Sequence, residues 1–265
     1  MSQAHPFALY SAYNAVRHRL LRRPWDTPEA MWIQGLQEGF AILAFVLDEM
    51  QVAARDIIQI DAFACPDVLT SDDRQEIQRD LERYRRKLHD PACQARVLTL
   101  ALPSQQDGHV TADTLLIRDV QNANDPERCM FFKDWARTDQ VTSPHQQGFV
   151  ALCVFESATP PALPRCIISV RPDSGASLRG LGQMLDQQEA IARVQRFGVD
   201  DRVVDPQTQA PKSPRVGYDN SDPWYDGRGH NYTIVDAPRQ GTLLSADAIE
   251  RVLLAFAKGH GEARL

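Results

Sequence analysis

The chain has 265 residues, 43% of them apolar and 24% charged, with a net charge of −6. This length and balance suit one large globular domain or two small ones and exclude a wholly disordered chain. The negative charge argues against broad phosphate-driven binding to nucleic acid, and the longest apolar run, Phe40 to Leu47, is too short to cross a bilayer.

The first third reads as helix. Leu9, Tyr13, Val16 and Leu20 share one helix face, and a second helix opens at Thr27 with Pro28 and Glu29 behind it. Asp56–Phe63 alternates weakly, as a strand would. A third helix spans Ser71 to His89, with Ile77, Leu81, Tyr84 and Leu88 as its buried stripe. The middle reads as strands: Arg96–Leu102, Thr114–Val120, Arg128–Trp135, Phe149–Glu156 and Arg165–Arg171, short, β-branched or aromatic, and parted by polar turns. Phe149–Phe155 is apolar on both faces, which predicts an interior strand covered on both sides.

Toward the C-terminus, two segments each run strand, proline, glycine, leucine, helix: Pro172, Gly175, Leu178 and Pro238, Gly241, Leu244. Duplication and chance both account for this match. Ser177 and Ser245 are the expected N-caps of the helices that follow. The last helix turns Ile249, Val252, Leu253 and Phe256 to one side, as docking on a sheet requires. The fold expected is α+β in a single domain over 1–265, with a possible subdivision near 145. Its mixed, mostly antiparallel sheet of five to seven strands is covered by the N-terminal helices and the C-terminal helix.

Only four of the 29 basic residues are lysine (Lys87, Lys133, Lys212 and Lys258), leaving 25 arginines. GC-rich coding explains this better than a demand for bidentate anion clamps, which would serve individual sites. The five cysteines, Cys65, Cys93, Cys129, Cys153 and Cys166, form no Cys-x-x-Cys pair. With no apolar core or cleavage site of a secretory signal in the first residues, this points to a reduced cytoplasmic protein with buried thiols.

The common catalytic signatures do not occur: there is no P-loop, no His-Glu-x-x-His, no Gly-x-Ser-x-Gly and no Ser-x-x-Lys. What stands out is a segment without clear periodicity. Residues 198–216 have the composition of a mobile loop, and Gly217–Arg239, "GYDNSDPWYDGRGHNYTIVDAPR", is polar yet carries Trp224, Tyr225 and Tyr232. Two readings stand. As structure, Asp222-Pro223 and Asp226-Gly227 form turns while Trp224 and Tyr225 pin the loop to the body. As a site, Trp224, Tyr225, Arg228 and Arg239 meet a partner or ligand, or Asp222, Asp226 and His230 do catalysis. Any metal would then fall to Asp219, Asp222 and Asp226.

A second candidate, Lys133–Gly148, carries Trp135, Arg137 and His145, and would share a polar pocket with the first if both met at one sheet edge. A third is the basic face of Arg17, Arg19, Arg22 and Arg23 beside Trp25, the one place suited to nucleic acid.

The stretch "DPWYDGRGHNYTIVDAPRQGTLL" resembles a segment of uncharacterised bacterial proteins associated with defence or conflict gene clusters. The resemblance covers the C-terminal quarter and implies a bacterial accessory or sensor component, with no activity or residue roles attached. The function expected is non-catalytic: a cytoplasmic binding or regulatory protein acting through a protein partner or a small ligand, without cofactor, metal or membrane contact. Exposed Trp224 or Trp135 would fit that reading. The alternative is a metal-assisted hydrolase or phosphate-handling enzyme built on residues 217–239, which needs its carboxylates and His230 to converge.

Overall fold

The computed structural model describes residues 71–120, 129 and 132–261. The two N-terminal helices, the strand at Asp56–Phe63 and the basic face of Arg17, Arg19, Arg22 and Arg23 lie outside the described residues, as does the side chain of Ile77. The chain divides into two compact units, Met1–Arg86 with Cys129–Gln140 and Lys87–Arg128 with Val141–Leu265.

Helix α1 (Ser71–His89), which belongs to the first unit as far as Arg86, has the bounds read from its periodicity and buries Leu81 and Tyr84. The expected strand at Arg128–Trp135 is corrected: Phe132–Thr138 is a short helix, α2. Phe132, Trp135 and Ala136 are its buried residues, a spacing of three and four that puts them on one helix face. The aromatic, strand-like composition misled because the window was too short for its period to be told. Inside the first unit the Tyr84 and Phe132 rings pack with centroids 5.0 Å apart, and the Tyr84 hydroxyl donates to Asp139 at 2.7 Å. Burial, reinforced by the Asp139 carboxylate, pushes the Tyr84 phenol far above its usual value.

The second unit is built on β1 (Arg96–Pro103), β2 (His109–Arg118), β3 (Ala151–Glu156), β4 (Arg165–Val170) and β5 (Ile234–Asp236), in the spatial order β1-β2-β3-β4-β5. β2 and β3 run parallel; every other neighbouring pair is antiparallel. The fold is therefore α+β with a mixed, mostly antiparallel sheet, five-stranded among the described residues. β3 lies at its centre, and Ala151, Cys153 and Phe155 on one face and Leu152 on the other are all buried, as its two-sided apolar pattern required.

Helices α3 (Leu181–Phe197) and α4 (Ala246–Gly261) cover one face of the sheet. Leu181 and Leu185 of α3 join Ile249, Leu253 and Phe256 of α4 against Leu100, Leu116, Cys153 and Ile168. Each such side chain contributes about 1.5–3 kcal/mol when fully buried. Ser245 caps α4, accepting the Ala248 N–H at 3.2 Å. The other expected cap is corrected: α3 starts after Gly180, in the left-handed region at φ 93°, with no side-chain cap. Ser177 instead accepts the Arg179 N–H at 3.2 Å, closing a local turn before the helix.

Candidate functional site

The loop of residues 199–242 returns to α3 through charges that the helix turns inward. Asp186, Glu189 and Arg193 are spaced by three and four, so they share a face. Glu189 and Arg193 are each 0% exposed and pair at 2.8 Å. Glu189 also accepts from Trp224 Nε1 at 3.3 Å, from the Leu243 N–H at 2.9 Å and from the Thr242 hydroxyl. Arg193 completes its fork on Asp201 and on the Gly241 carbonyl, both at 2.8 Å. Asp186 binds the buried Arg202, the Asn220 side chain at 2.8 Å and the Trp224 N–H at 3.0 Å. Each of these buried charges thus has a partner, as burial demands. None of these three α3 residues was singled out from the sequence.

Two aromatic anchors are relocated by the structure. Trp224 is 1% exposed and part of the core, and Trp135 is 9% exposed with its indole N–H on Asp80 at 2.8 Å. Neither forms an exposed apolar patch; burial of the large ring is what pins each segment. The carboxylates do not converge. Asp222 accepts the Arg239 and Gln240 N–H groups at 2.8 and 3.0 Å, a backbone clamp. Asp226 accepts from the Tyr218 hydroxyl at 2.9 Å and from Arg228 Nε at 2.9 Å and Nη2 at 2.5 Å. Asp219 and His230 are exposed. Among the described residues no group of three or more His, Cys, Asp or Glu side chains is placed to hold a metal ion.

Burial works to raise the Asp226 carboxyl, and the bonds from Arg228 and Tyr218 outweigh it, holding it below its usual range. Burial, together with the same bond to Asp226, raises the Tyr218 phenol. The bond to Asp226 in turn raises Arg228.

Rings and guanidinium groups of the loop, with Arg179 from before α3, gather at the surface. Arg179 lies over the Tyr232 ring at 5.3 Å, and Arg228 lies over Tyr218 at 4.4 Å. Arg215 sits over both Tyr218 and Tyr225, at 5.5 and 5.6 Å. The exposed His230 meets Tyr225 edge-on at 6.2 Å. The turn that carries Tyr232 is unusual: Asn231 and Tyr232 are both left-handed, at φ 49° and 56°. Gly227, at φ 65°, allows it, since a Cβ there would stand 2.1 Å from the Ile234 carbonyl oxygen. Of the residues singled out from the sequence, Tyr225, Arg228, His230 and Tyr232 belong to this face. Arg239 is exposed and touches none of its rings. Arg179, Arg215 and Tyr218, not singled out from the sequence, complete the face.

The second candidate segment is divided between units, residues 133–140 in the first and 141–148 in the second. Trp135 and the half-buried Arg137 belong to α2. His145 is oriented by Asp113, which is 2% exposed and takes both the ring Nδ1 and the backbone N–H of His145 at 2.7 Å. A cleft of about 330 Å³ opens where the parallel strands β2 and β3 end beside the first turns of α4. The pairs Arg96–Glu250 at 2.5 Å and Arg118–Asp247 at 2.6 Å stand at its rim. Among the described residues no helix is long and apolar enough to cross a membrane. Compared with known protein families, curated proteins and solved structures, the chain matches none.

Proposed function

We propose that this chain is a non-catalytic binding or regulatory component of a bacterial, cytoplasmic, defence-associated system, and that it works by recognising a protein partner or a small ligand. Its contact face is formed by the pair Arg179–Tyr232 and the cluster Arg228, Tyr218, Arg215 and Tyr225. The observation that carries the reading is this alternation of cation and ring on an anchored loop. Tyrosine and arginine supply large contact areas from few rotatable bonds, and they dominate the energetics of recognition surfaces. The carboxylates of the loop argue the same way, because Asp222 and Asp226 are already occupied by backbone N–H groups and by Arg228.

The test is recovery of the tagged chain from its native host beside Arg215→Ala and Tyr225→Ala variants. A bound partner or ligand retained by the wild type and lost from both variants, with melting temperatures unchanged, is the expected result. A wild type that is recovered monodisperse with nothing bound overturns the reading.

A further inference from the structure

We infer that the Arg–Tyr face takes a nucleotide unit, a flat heteroaromatic base carrying a phosphate. This rests on the recognition reading above and names its ligand.

The three arginines of the face are not equivalent. Arg228 has its donors committed, to Asp226 and to the Gly217 carbonyl at 2.9 Å. The guanidinium groups of Arg179 and Arg215 donate no hydrogen bond and form no ion pair with any described residue, and each lies over a tyrosine ring. Each is therefore a charged fork that lies over tyrosine rings and whose N–H donors are uncommitted among the described residues. Such a fork matches the oxygens of a phosphate two at a time, and less side-chain freedom remains to be lost when it binds.

The rings supply the second half of the match. A base stacks on an aromatic face or on a guanidinium plane alike, and here the two alternate through half-buried Tyr218, Tyr225 and Tyr232 and exposed His230. An acidic peptide would use the forks but has no use for the rings. The chain's net charge of −6 removes the long-range attraction on which non-specific polyanion binding depends, so recognition must come from close contact.

Free nucleotides and single strands share this chemistry, and the test separates them. Fluorescence anisotropy on the full chain would use a labelled adenine mononucleotide, labelled single strands of about twelve nucleotides, and the corresponding duplex. Binding of the mononucleotide or the single strand is expected, with the duplex weaker. If single strands bind more tightly as they lengthen, the source is a strand; if length makes no difference, it is the free nucleotide.

With two forks engaged, single-strand affinity should fall with a log–log salt slope of about −1.4, roughly seven-fold between about 50 and 200 mM salt. Tyr232→Asn keeps a residue that tolerates the left-handed backbone and removes the ring; it should weaken binding about five-fold or more. Arg215→Ala should weaken it about ten-fold, and Arg215→Lys, which keeps the charge without the flat fork, should recover only part. The inference is overturned if neither probe binds at about 1 mM, if duplex binds as tightly as single strand, or if the Tyr232 and Arg215 variants bind like wild type. Absence of nucleotide binding alongside a co-purified partner lost in the variants would remove this inference and leave the recognition reading intact.

Discussion

Removing Glu189 tests whether the loop is held by buried charge. The carboxylate and Arg193 are both 0% exposed, and three donors converge on the carboxylate: Trp224 Nε1–H, the Thr242 hydroxyl and the Leu243 N–H. Stranding one member of a buried pair costs about 3–5 kcal/mol. Arg193 keeps Asp201 at 2.8 Å, which places Glu189→Ala near the lower end, about 3 kcal/mol. At about 2–4 °C per kcal/mol, the melting temperature should drop by roughly 6–12 °C.

The double variant Glu189→Met, Arg193→Met is the sharper probe. An apolar pair of similar shape often replaces a buried ion pair at no cost. Here it would leave the three donors orphaned, at about 1–3 kcal/mol each, so it should be no more stable than Glu189→Ala. Urea unfolding followed by both tryptophan fluorescence and circular dichroism is the assay, because two units need not unfold together. A double variant as stable as wild type, or a Glu189→Ala cost below about 1 kcal/mol, would refute the reasoning.

Three further outcomes are expected. Gly227→Ala places a methyl 2.1 Å from the Ile234 carbonyl oxygen at a positive φ, so it should cost more than about 2 kcal/mol, read as a lowered melting temperature. Trp135→Phe keeps most of the ring and removes the N–H that reaches Asp80 at 2.8 Å; about 1–3 kcal/mol should be lost in urea melts. Asp200 and Asp226 both lie below their usual 3.8 in the folded chain, so they bind protons less readily than when unfolded. Their contribution is complete above about pH 4 and lost as pH falls through the depressed values, and Asp226→Asn should flatten that acid limb of a melting-temperature profile.

The helix and strand pattern was legible where a segment was long enough for its period to count. α1 was read to its ends, and β3 was recognised as interior because apolar residues occupy both of its faces. α2 was not, because seven residues of mixed aromatic and charged character hold too little of either period. In the loop, the turn at Asp226-Gly227, where Asp226 accepts the Arg228 N–H at 3.3 Å, and the pinning by Trp224 were readable from residue type. Asp222 instead clamps distant N–H groups and does not close the turn expected at Asp222-Pro223. The partners that decide the site were not: Glu189 meets Trp224 from 35 positions away and Leu243 from 54. Asp186, Glu189 and Arg193 sit among glutamines, and their spacing alone reads as a solvated helix face. Only the returning chain makes it an interior one.

Main-chain bonds explain how a tyrosine comes to be held in a left-handed turn. Such a conformation costs on the order of 1–3 kcal/mol and persists only where the surroundings fix it. The turn is closed by Thr233 N–H on the His230 carbonyl at 3.0 Å and by Tyr232 N–H on that of Gly227 at 2.9 Å. The Tyr232 carbonyl then accepts the Leu178 N–H at 2.8 Å. Arg179 is the next residue after Leu178, so that backbone bond is what brings its guanidinium over the Tyr232 ring. The placement of the ring therefore follows from main-chain bonds, and the ring itself is dispensable to them. Tyr232→Asn should leave the melting temperature within about 1 °C while weakening recognition, because Asn accepts the same backbone. A loss of stability as large as the loss of binding would mean that the ring serves the fold.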